Sequence, residues 1–163
     1  MFTYDFDRLN NLVHGILIKS VSAEGMKWLD DQGAQAQKGD VSKFNIAFVA
    51  MPRRTGKNTI DVTLQDAAAI DNARSGFRID GWTSDRLSRV WLLMQLNAQD
   101  KSKYVATIEN LFLSAEMSEL VALYSALPAL AYPGAWVKRC AEGIRNNIGQ
   151  VLEAVICNNP YPS

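Results

Sequence analysis

The sequence predicts an all-α fold, and three observations support this prediction. Apolar residues recur three and four positions apart in nearly every segment, which is the period of an amphipathic helix. Apolar residues make up 48% of the chain and charged residues 21%, which is ordinary for a globular protein. At 163 residues the chain is long enough to enclose a sizeable core, so we expect one domain over 1–163, with the N-terminal helices of 1–40 its least defined part.

The first half of the chain contains four predicted helices. Ser22 is expected to cap the second helix, whose small and polar tail over 33–39 is expected to fray. The third is predicted to run from Ser42 to Pro52, and Thr63 to start the fourth. The first helix carries the apolar stripe of Leu9, Val13, Ile16, Leu17 and Val21.

A loop is predicted over 74–82, because this segment has no helical period and contains two glycines. Thr83 then caps a strong helix, whose first turn carries Asp85, where the helix dipole favours an anion. The next helix is predicted to begin near Lys101, and the one after it is stopped by Pro128.

Pro133 suits the first turn of a further helix, which is predicted to break at 145–147, with Asn147 capping the segment that follows. The side chains predicted to face inward there are Val137, Cys140, Ala141 and Ile144. The short links between the later helices favour antiparallel neighbours. We therefore predict stacked helical hairpins, as in a HEAT-like superhelix, with an irregular helical bundle as the alternative.

The stretch AFVAMPRRTGKNTI ends like a phosphate-binding loop. Such a loop needs glycine five positions before its Gly-Lys pair and Ser or Thr after it, to cradle phosphates and hold Mg²⁺. Met51 and Asn58 occupy those positions, so the sequence argues against nucleotide binding. The alternative is a basic turn, in which Arg53 and Lys57 order the chain or contact an anion, and Gly56 adopts a left-handed backbone.

Charge and hydropathy exclude several classes of protein. Lys plus Arg equals Asp plus Glu at 17 each, so the strong positive field of a nucleic-acid-binding protein is missing. No apolar run reaches the roughly 20 residues of a membrane span, and the acidic N-terminus is unlike a signal peptide, so a cytoplasmic protein is expected. Cys140 and Cys157 both lie on apolar helical faces and are predicted to be buried, reduced thiols.

The residues needed for catalysis are sparse. His14 is the only histidine and lies inside the first helix, which argues against a nucleophile–histidine pair. One histidine and two buried cysteines do not supply a usual zinc ligand set, so we expect no metal and no cofactor. Aromatic residues on consecutive helices are either core or the walls of a groove for a flat apolar ligand. In the second reading, the groove is lined by Trp82, Tyr124 and Trp136, with Arg139, Glu142 and Arg145 near its mouth.

Several stretches, in this order along the chain, resemble the EboA family. They are VAMPRRTGK at 49–57, GWTSDRLSRV at 81–90, LVALY at 120–124, LP at 127–128, AEGIRNN at 141–147 and NPYP at 159–162. The resemblance covers roughly 44–163. Members of the EboA family usually continue well past the last of these stretches. The resemblance therefore implies either a shorter member or a truncated chain.

The resemblance implies a bacterial, cytoplasmic helical protein that assists the traffic or export of a secondary metabolite. Such proteins are encoded beside a prenyltransferase-like membrane protein and several enzyme homologues. The resemblance implies no known activity and supplies no catalytic residues. The positions that fit its pattern are Arg53, Gly56, Lys57, Trp82, Asp85, Glu142, Arg145, Asn147, Glu153, Asn159, Pro160 and Tyr161.

We therefore predict a non-enzymatic protein that binds a small apolar or aromatic metabolite, or partner proteins of the same gene cluster. One alternative is an enzyme that acts on the metabolite with Glu142 and Glu153 as acid–base groups. Another is a pure scaffold. The candidate ligand- or partner-binding residues are Arg53, Lys57, Trp82, Tyr124, Trp136, Arg139, Glu142, Arg145 and Tyr161.

Overall fold

The structure is a computed structural model that describes residues 2–162, and its 71% helical content confirms the all-α prediction. The helices are α1 (Phe6–Ser20), α2 (Ala23–Lys38), α3 (Val41–Thr55), α4 (Leu64–Ala73), α5 (Ser84–Met94), α6 (Lys101–Ser114), α7 (Met117–Ala126), α8 (Val137–Ile144) and α9 (Gly149–Ile156). Two short 3-10 helices, Leu127–Ala129 and Pro133–Trp136, connect α7 to α8.

Helix α5 lies at the centre of the fold. It packs against α1, α2, α3 and α7, while α9 packs on α7 and α8 packs on α9. In a superhelix each hairpin would contact only its neighbours along the chain. The structure therefore has the irregular bundle, and its hydrophobic core is continuous from Leu9 in α1 to Val155 in α9.

Side-chain caps start most of the helices. Ser22 Oγ accepts from the Gly25 N–H at the start of α2, and Thr63 forms a capping box with Asp66 at the start of α4. The prediction that Ser42 starts the third helix was wrong by one residue, because Asp40 is the cap and accepts from the Lys43 N–H.

The predicted fraying of 33–39 was also wrong. Helix α2 continues to Lys38 because Gly33 lies against Trp91 of α5, where an added Cβ would be 2.6 Å from the indole ring. Gly39 then ends the helix with φ +84°, a left-handed conformation that glycine adopts at little cost.

Helix α3 passes through Pro52 and ends at Thr55, whereas the sequence predicted that it would end at the proline. A proline inside a helix has no N–H, so the carbonyl of Phe48, four residues earlier, loses its usual partner. Arg89 of α5 supplies a replacement, because its Nε donates to the Phe48 oxygen at 2.9 Å. A contact from another helix thus allows α3 to continue past its proline.

The turn after α3 is held by the start of α5. Ser84 Oγ donates to the Thr55 carbonyl at 2.9 Å, and the Ser84 N–H donates to the Asn58 carbonyl at 2.7 Å. Gly56 has φ +73° and ψ −175°, so the positive φ that the prediction required is present, but the extended ψ places the residue outside the predicted left-handed conformation. These backbone and serine contacts order the turn, and the ordering role expected for Arg53 and Lys57 stays a prediction.

Helix α8 presents a different face to the core than the sequence predicted. Cys140 is buried, whereas Val137 is 62% exposed and Ile144 is 45% exposed. The predicted break at 145–147 is present, but α9 begins at Gly149 and Asn147 is not its cap. Helix α8 spans only two turns, so it has few apolar residues to define a buried face. Its packing against α9 and the preceding 3-10 helix decides which of its residues face the core.

Candidate functional site

The three aromatic side chains predicted to line a ligand groove are buried at separate points of the core. Trp136 is fully buried, and its Nε1 donates to the Ala131 carbonyl at 2.8 Å. Tyr124 packs edge-on against Phe112, and Trp82 packs edge-on against Phe77. The structure does not bring these rings together around a cavity, and core packing accounts for their burial.

Two of the three polar residues predicted at the mouth of that groove, Arg139 and Glu142 of α8, form an ion-pair cluster with Glu109 of α6. Arg139 donates from Nη2 to Glu109 Oε2 at 2.5 Å and from Nη1 to Glu142 Oε2 at 2.9 Å. The hydrogen bond to Glu109 is the main cause of the raised pKa of Arg139. Arg145 is exposed at the end of α8. The cluster joins two helices, which explains these side chains without a ligand.

Arg53 and Lys57 lie on a shallow open surface between α3 and α7. Both side chains are exposed, and the cavity they border has a volume of about 680 Å³. Glu116 and Glu119 border the same cavity. Anions would therefore meet carboxylates as well as cations there, which weakens the case for the anion contact.

Tyr161 is the one predicted candidate that lines an apolar groove. This groove, which we call the Tyr161 groove, lies between α8 and the segment that follows α9, and its volume is about 530 Å³. Ligand pockets typically span about 300 to 1,000 Å³. The lining residues are Arg74, Pro133, Gly134, Val137, Cys140, Ala141, Ile144, Pro160, Tyr161 and Pro162.

Hydrogen bonds hold both walls of the Tyr161 groove. The Tyr161 hydroxyl donates to the Pro133 carbonyl, and burial raises the pKa of Tyr161 to about 12. Asn159 is buried, and its Nδ2 donates to the Tyr124 carbonyl at 3.1 Å and the Ala154 carbonyl at 2.8 Å. The Asn-Pro-Tyr-Pro stretch is therefore anchored to α7 and α9, and its rings form a preformed wall.

Among residues 2–162, Arg74 is the only charged residue that borders the Tyr161 groove. Its Nε donates to the Pro128 carbonyl at 3.0 Å, and its guanidinium lies 5.8 Å from the centre of the Tyr4 ring. These contacts fix its position at the edge. The groove thus combines apolar walls with one oriented cation, a combination suited to an apolar molecule that carries one polar end.

The chain matches the family described as "Metabolite traffic protein EboA" over residues 9–163. The chain belongs to the EboA family. The match begins in α1, so it includes the first two helices, which the resemblance over 44–163 left out. No curated protein and no solved structure matches the chain.

Sequence reasoning missed most of the groove in this EboA-family chain. Only Tyr161 was among the candidates, and Arg74, Pro133 and Cys140 were not. The Asn-Pro-Tyr-Pro stretch was the available signal, since closely spaced prolines form a stiff segment. Nothing in the local sequence indicated that this segment lies against α8.

In the part of the chain that the structure describes, there is neither a metal-binding group of side chains nor a helix that could span a membrane. Residues 2–162 contain no group of three His, Cys, Asp or Glu side chains arranged to hold a metal ion. Within the same residues, every helix is too short or too polar to cross a bilayer.

The prediction that both cysteines are buried was wrong for one of them. Cys140 is buried and its burial raises the pKa of the thiol, whereas Cys157 is exposed. Cys157 follows the last residue of α9 and has extended backbone, so it has left the apolar face of that helix.

We expect a thiol reagent to label Cys157 of the native EboA-family protein about ten-fold faster, or more, than Cys140, because burial and a raised pKa both reduce the reactive thiolate. Labelling followed by peptide mass spectrometry measures the two rates. A Cys157→Ser variant is expected to lose the fast phase. Equal rates at the two positions would contradict this assignment.

Proposed function

We propose that this EboA-family protein is a non-enzymatic binding component of a metabolite-traffic system, and that the Tyr161 groove holds an apolar part of the metabolite. The observation that carries the proposal is the apolar groove itself, whose walls are fixed by the Tyr161–Pro133 and Asn159 hydrogen bonds. The family description supports a metabolite as the cargo. We place this activity in the cytoplasm.

Burial of apolar surface would supply most of the affinity. Each square ångström of apolar surface removed from water contributes roughly 25 cal/mol. Preformed walls add to the affinity, because little conformational entropy is lost when the ligand enters. Arg74 at the edge would orient the polar end of the ligand, since its guanidinium is already held by Pro128.

The catalytic alternative is less well supported. Glu142 Oε2 accepts a hydrogen bond from Arg139 Nη1 at 2.9 Å, so this carboxylate is engaged in a structural ion pair. Glu153 is exposed and lines a different cavity, so the structure gives the two carboxylates no shared site.

A specific observation favours protein partners as a second candidate function. Apolar side chains of α8 and α9 are exposed to solvent, and exposed apolar clusters often mark interaction sites. They are Val137, Ile144 and Ile156, together with Ile148 in the connection between the two helices. A scaffold for proteins of the same gene cluster would use this surface.

Filling the groove tests the proposal. Gly134 has open space where a Cβ would be added, and Ala141 lines the same groove. We expect Gly134→Phe and Ala141→Phe to weaken binding of the aromatic fluorescent probe anilinonaphthalene sulfonate about ten-fold, because a phenyl ring occupies the space of the ligand. Fluorescence titration measures the change, and circular dichroism checks the fold.

Gly149→Phe is the matched control. Gly149 also has open space around its Cα, but it does not line the groove, so probe binding should stay within two-fold of wild type. Equal binding by the wild-type protein and both groove variants would exclude the Tyr161 groove as the ligand site.

A further inference from the structure

The charge on the Tyr161 groove has one sign. Among residues 2–162, the groove is lined by no Asp or Glu, and Arg74 supplies its single charged group. The other polar side chains of its lining are neutral. The Tyr161 hydroxyl donates to the Pro133 carbonyl, and burial raises the pKa of this hydroxyl and the pKa of the Cys140 thiol. A charged ligand in the groove therefore meets a cation without a neighbouring anion.

Arg74 lacks the carboxylate partner that other arginines fixed in this fold have. Arg89 Nη1 lies 3.5 Å from Asp85 Oδ2, and Arg139 Nη1 lies 2.9 Å from Glu142 Oε2. Arg74 is half-buried, yet in the described part of the chain it forms no salt bridge with any Asp or Glu. A partly buried cation without a counterion is unfavourable, and an anionic ligand would supply the missing charge.

The guanidinium of Arg74 is held in place while most of its donors stay unused. Its Nε donates to the Pro128 carbonyl, and the group lies over the Tyr4 ring. Within residues 2–162, Nη1 and Nη2 have no hydrogen-bond partner, and both keep surface that solvent can reach. Two parallel N–H groups of a guanidinium match the two oxygens of a carboxylate. Arg74 can therefore receive such a group from the groove without giving up its existing contacts.

The single cation also selects the charge of the ligand. A carboxylate carries one negative charge, which Arg74 balances. A phosphate monoester carries about 1.5 to 2 negative charges at neutral pH, so part of its charge would stay unbalanced beside the apolar walls. An ammonium group would be repelled by Arg74 and would find no carboxylate among the described residues of the lining.

We infer that the ligand of the Tyr161 groove is an amphiphilic carboxylic acid, bound as its carboxylate. Its apolar body packs on Val137, Ala141 and Pro160, and its carboxylate accepts hydrogen bonds from Nη1 and Nη2 of Arg74. This inference rests on the proposed function, because it names the class of ligand for the same groove.

Four fluorescent probes with one apolar body test the inference. They are pyrenebutyrate, pyrenebutanol, pyrenebutylammonium and the monophosphate ester of pyrenebutanol, each titrated into the wild-type protein at neutral pH. We expect pyrenebutyrate to bind about ten-fold more tightly than the alcohol, because an ion pair with paired hydrogen bonds is stronger than a neutral contact. The ammonium probe should bind more weakly than the alcohol, and the phosphate ester no more tightly than the carboxylate.

Substitutions of Arg74 assign this preference to its guanidinium. Arg74→Met should weaken pyrenebutyrate binding about ten-fold and leave pyrenebutanol binding within two-fold of wild type. Arg74→Lys keeps the charge but not the paired N–H groups, so its affinity for pyrenebutyrate should lie between those of the wild-type protein and Arg74→Met. Lys138→Met is the matched control, because it removes an exposed cation of α8 that does not line the groove, and it should leave both affinities unchanged.

The outcomes separate this inference from the proposed function. Equal affinities for the carboxylate and the alcohol, both reduced in Ala141→Phe, would overturn the carboxylate preference and leave the groove as the ligand site. Binding of none of the four probes would overturn both. Tighter binding of the phosphate ester, or an unchanged preference in Arg74→Met, would also overturn the inference. If Arg74→Met does not fold, the order of the probes on the wild-type protein and its loss at about 0.5 M salt, where charges are screened, decide the question.

Discussion

Replacing Arg89 by Met is expected to lower the free energy of unfolding by about 3 to 5 kcal/mol, the usual range when one partner of a buried ion pair is removed. The Arg89 side chain is 2% exposed. Its guanidinium donates to the Phe48 and Val49 carbonyls of α3 and to Ser118 Oγ of α7, and it faces Asp85 in α5. One side chain therefore joins three helices.

Methionine has a similar length but donates no hydrogen bonds. It would leave the Phe48 carbonyl unpaired beside Pro52, and it would leave the Asp85 carboxylate buried without its cation. Lysine would keep the charge, but it has no planar fork to reach both helices, so Arg89→Lys should also be clearly destabilising. Urea denaturation of the three proteins measures the differences.

Arg78 provides the matched control for this prediction. It is exposed and pairs with Asp80, and exposed ion pairs contribute about 1 kcal/mol or less. Arg78→Met should therefore be nearly neutral. If Arg89→Met were no more destabilising than Arg78→Met, Arg89 would not have the structural role that we assign to it.

Replacing Gly143 by Val is expected to lower the free energy of unfolding by about 3 kcal/mol, at the upper end of the cost of overpacking. Gly143 is buried in α8, where α7 and α9 come closest to it. An added Cβ would lie 2.5 Å from Val155 Cγ2 and 2.6 Å from Tyr124 Cε1. Neither neighbour can move easily, because Tyr124 packs on Phe112 and Val155 is fully buried.

Gly149→Val is the matched control, because a Cβ added there would meet open space. Its stability should stay within about 0.5 kcal/mol of wild type, as for most surface substitutions. Thermal and urea unfolding of both variants give the comparison. If Gly143→Val unfolded at the same denaturant concentration as the wild-type protein, α8 would not pack on α7 and α9 as described.

The candidate site was only partly predictable from the sequence. The apolar period indicated which residues face the core in the long helices, and Tyr161 was selected because it fits the pattern of the EboA resemblance. Trp82 and Trp136 were equally conspicuous, yet both are buried in the core. The period of a helix distinguishes apolar from polar faces, but it does not indicate whether another helix or solvent covers the apolar one.

The sequence by itself determined the all-α class and most of the helix starts. A cap such as Ser22 or Thr63 contacts backbone within three residues, so local sequence is sufficient to place it. Only the tertiary structure decided that α3 continues past Pro52, that Cys157 is exposed and that Asp85 keeps an unpaired oxygen. The first and the last depend on contacts, or on missing contacts, with residues distant along the chain, and Cys157 depends on where the last turn of α9 ends, so none of them leaves a local pattern in the sequence.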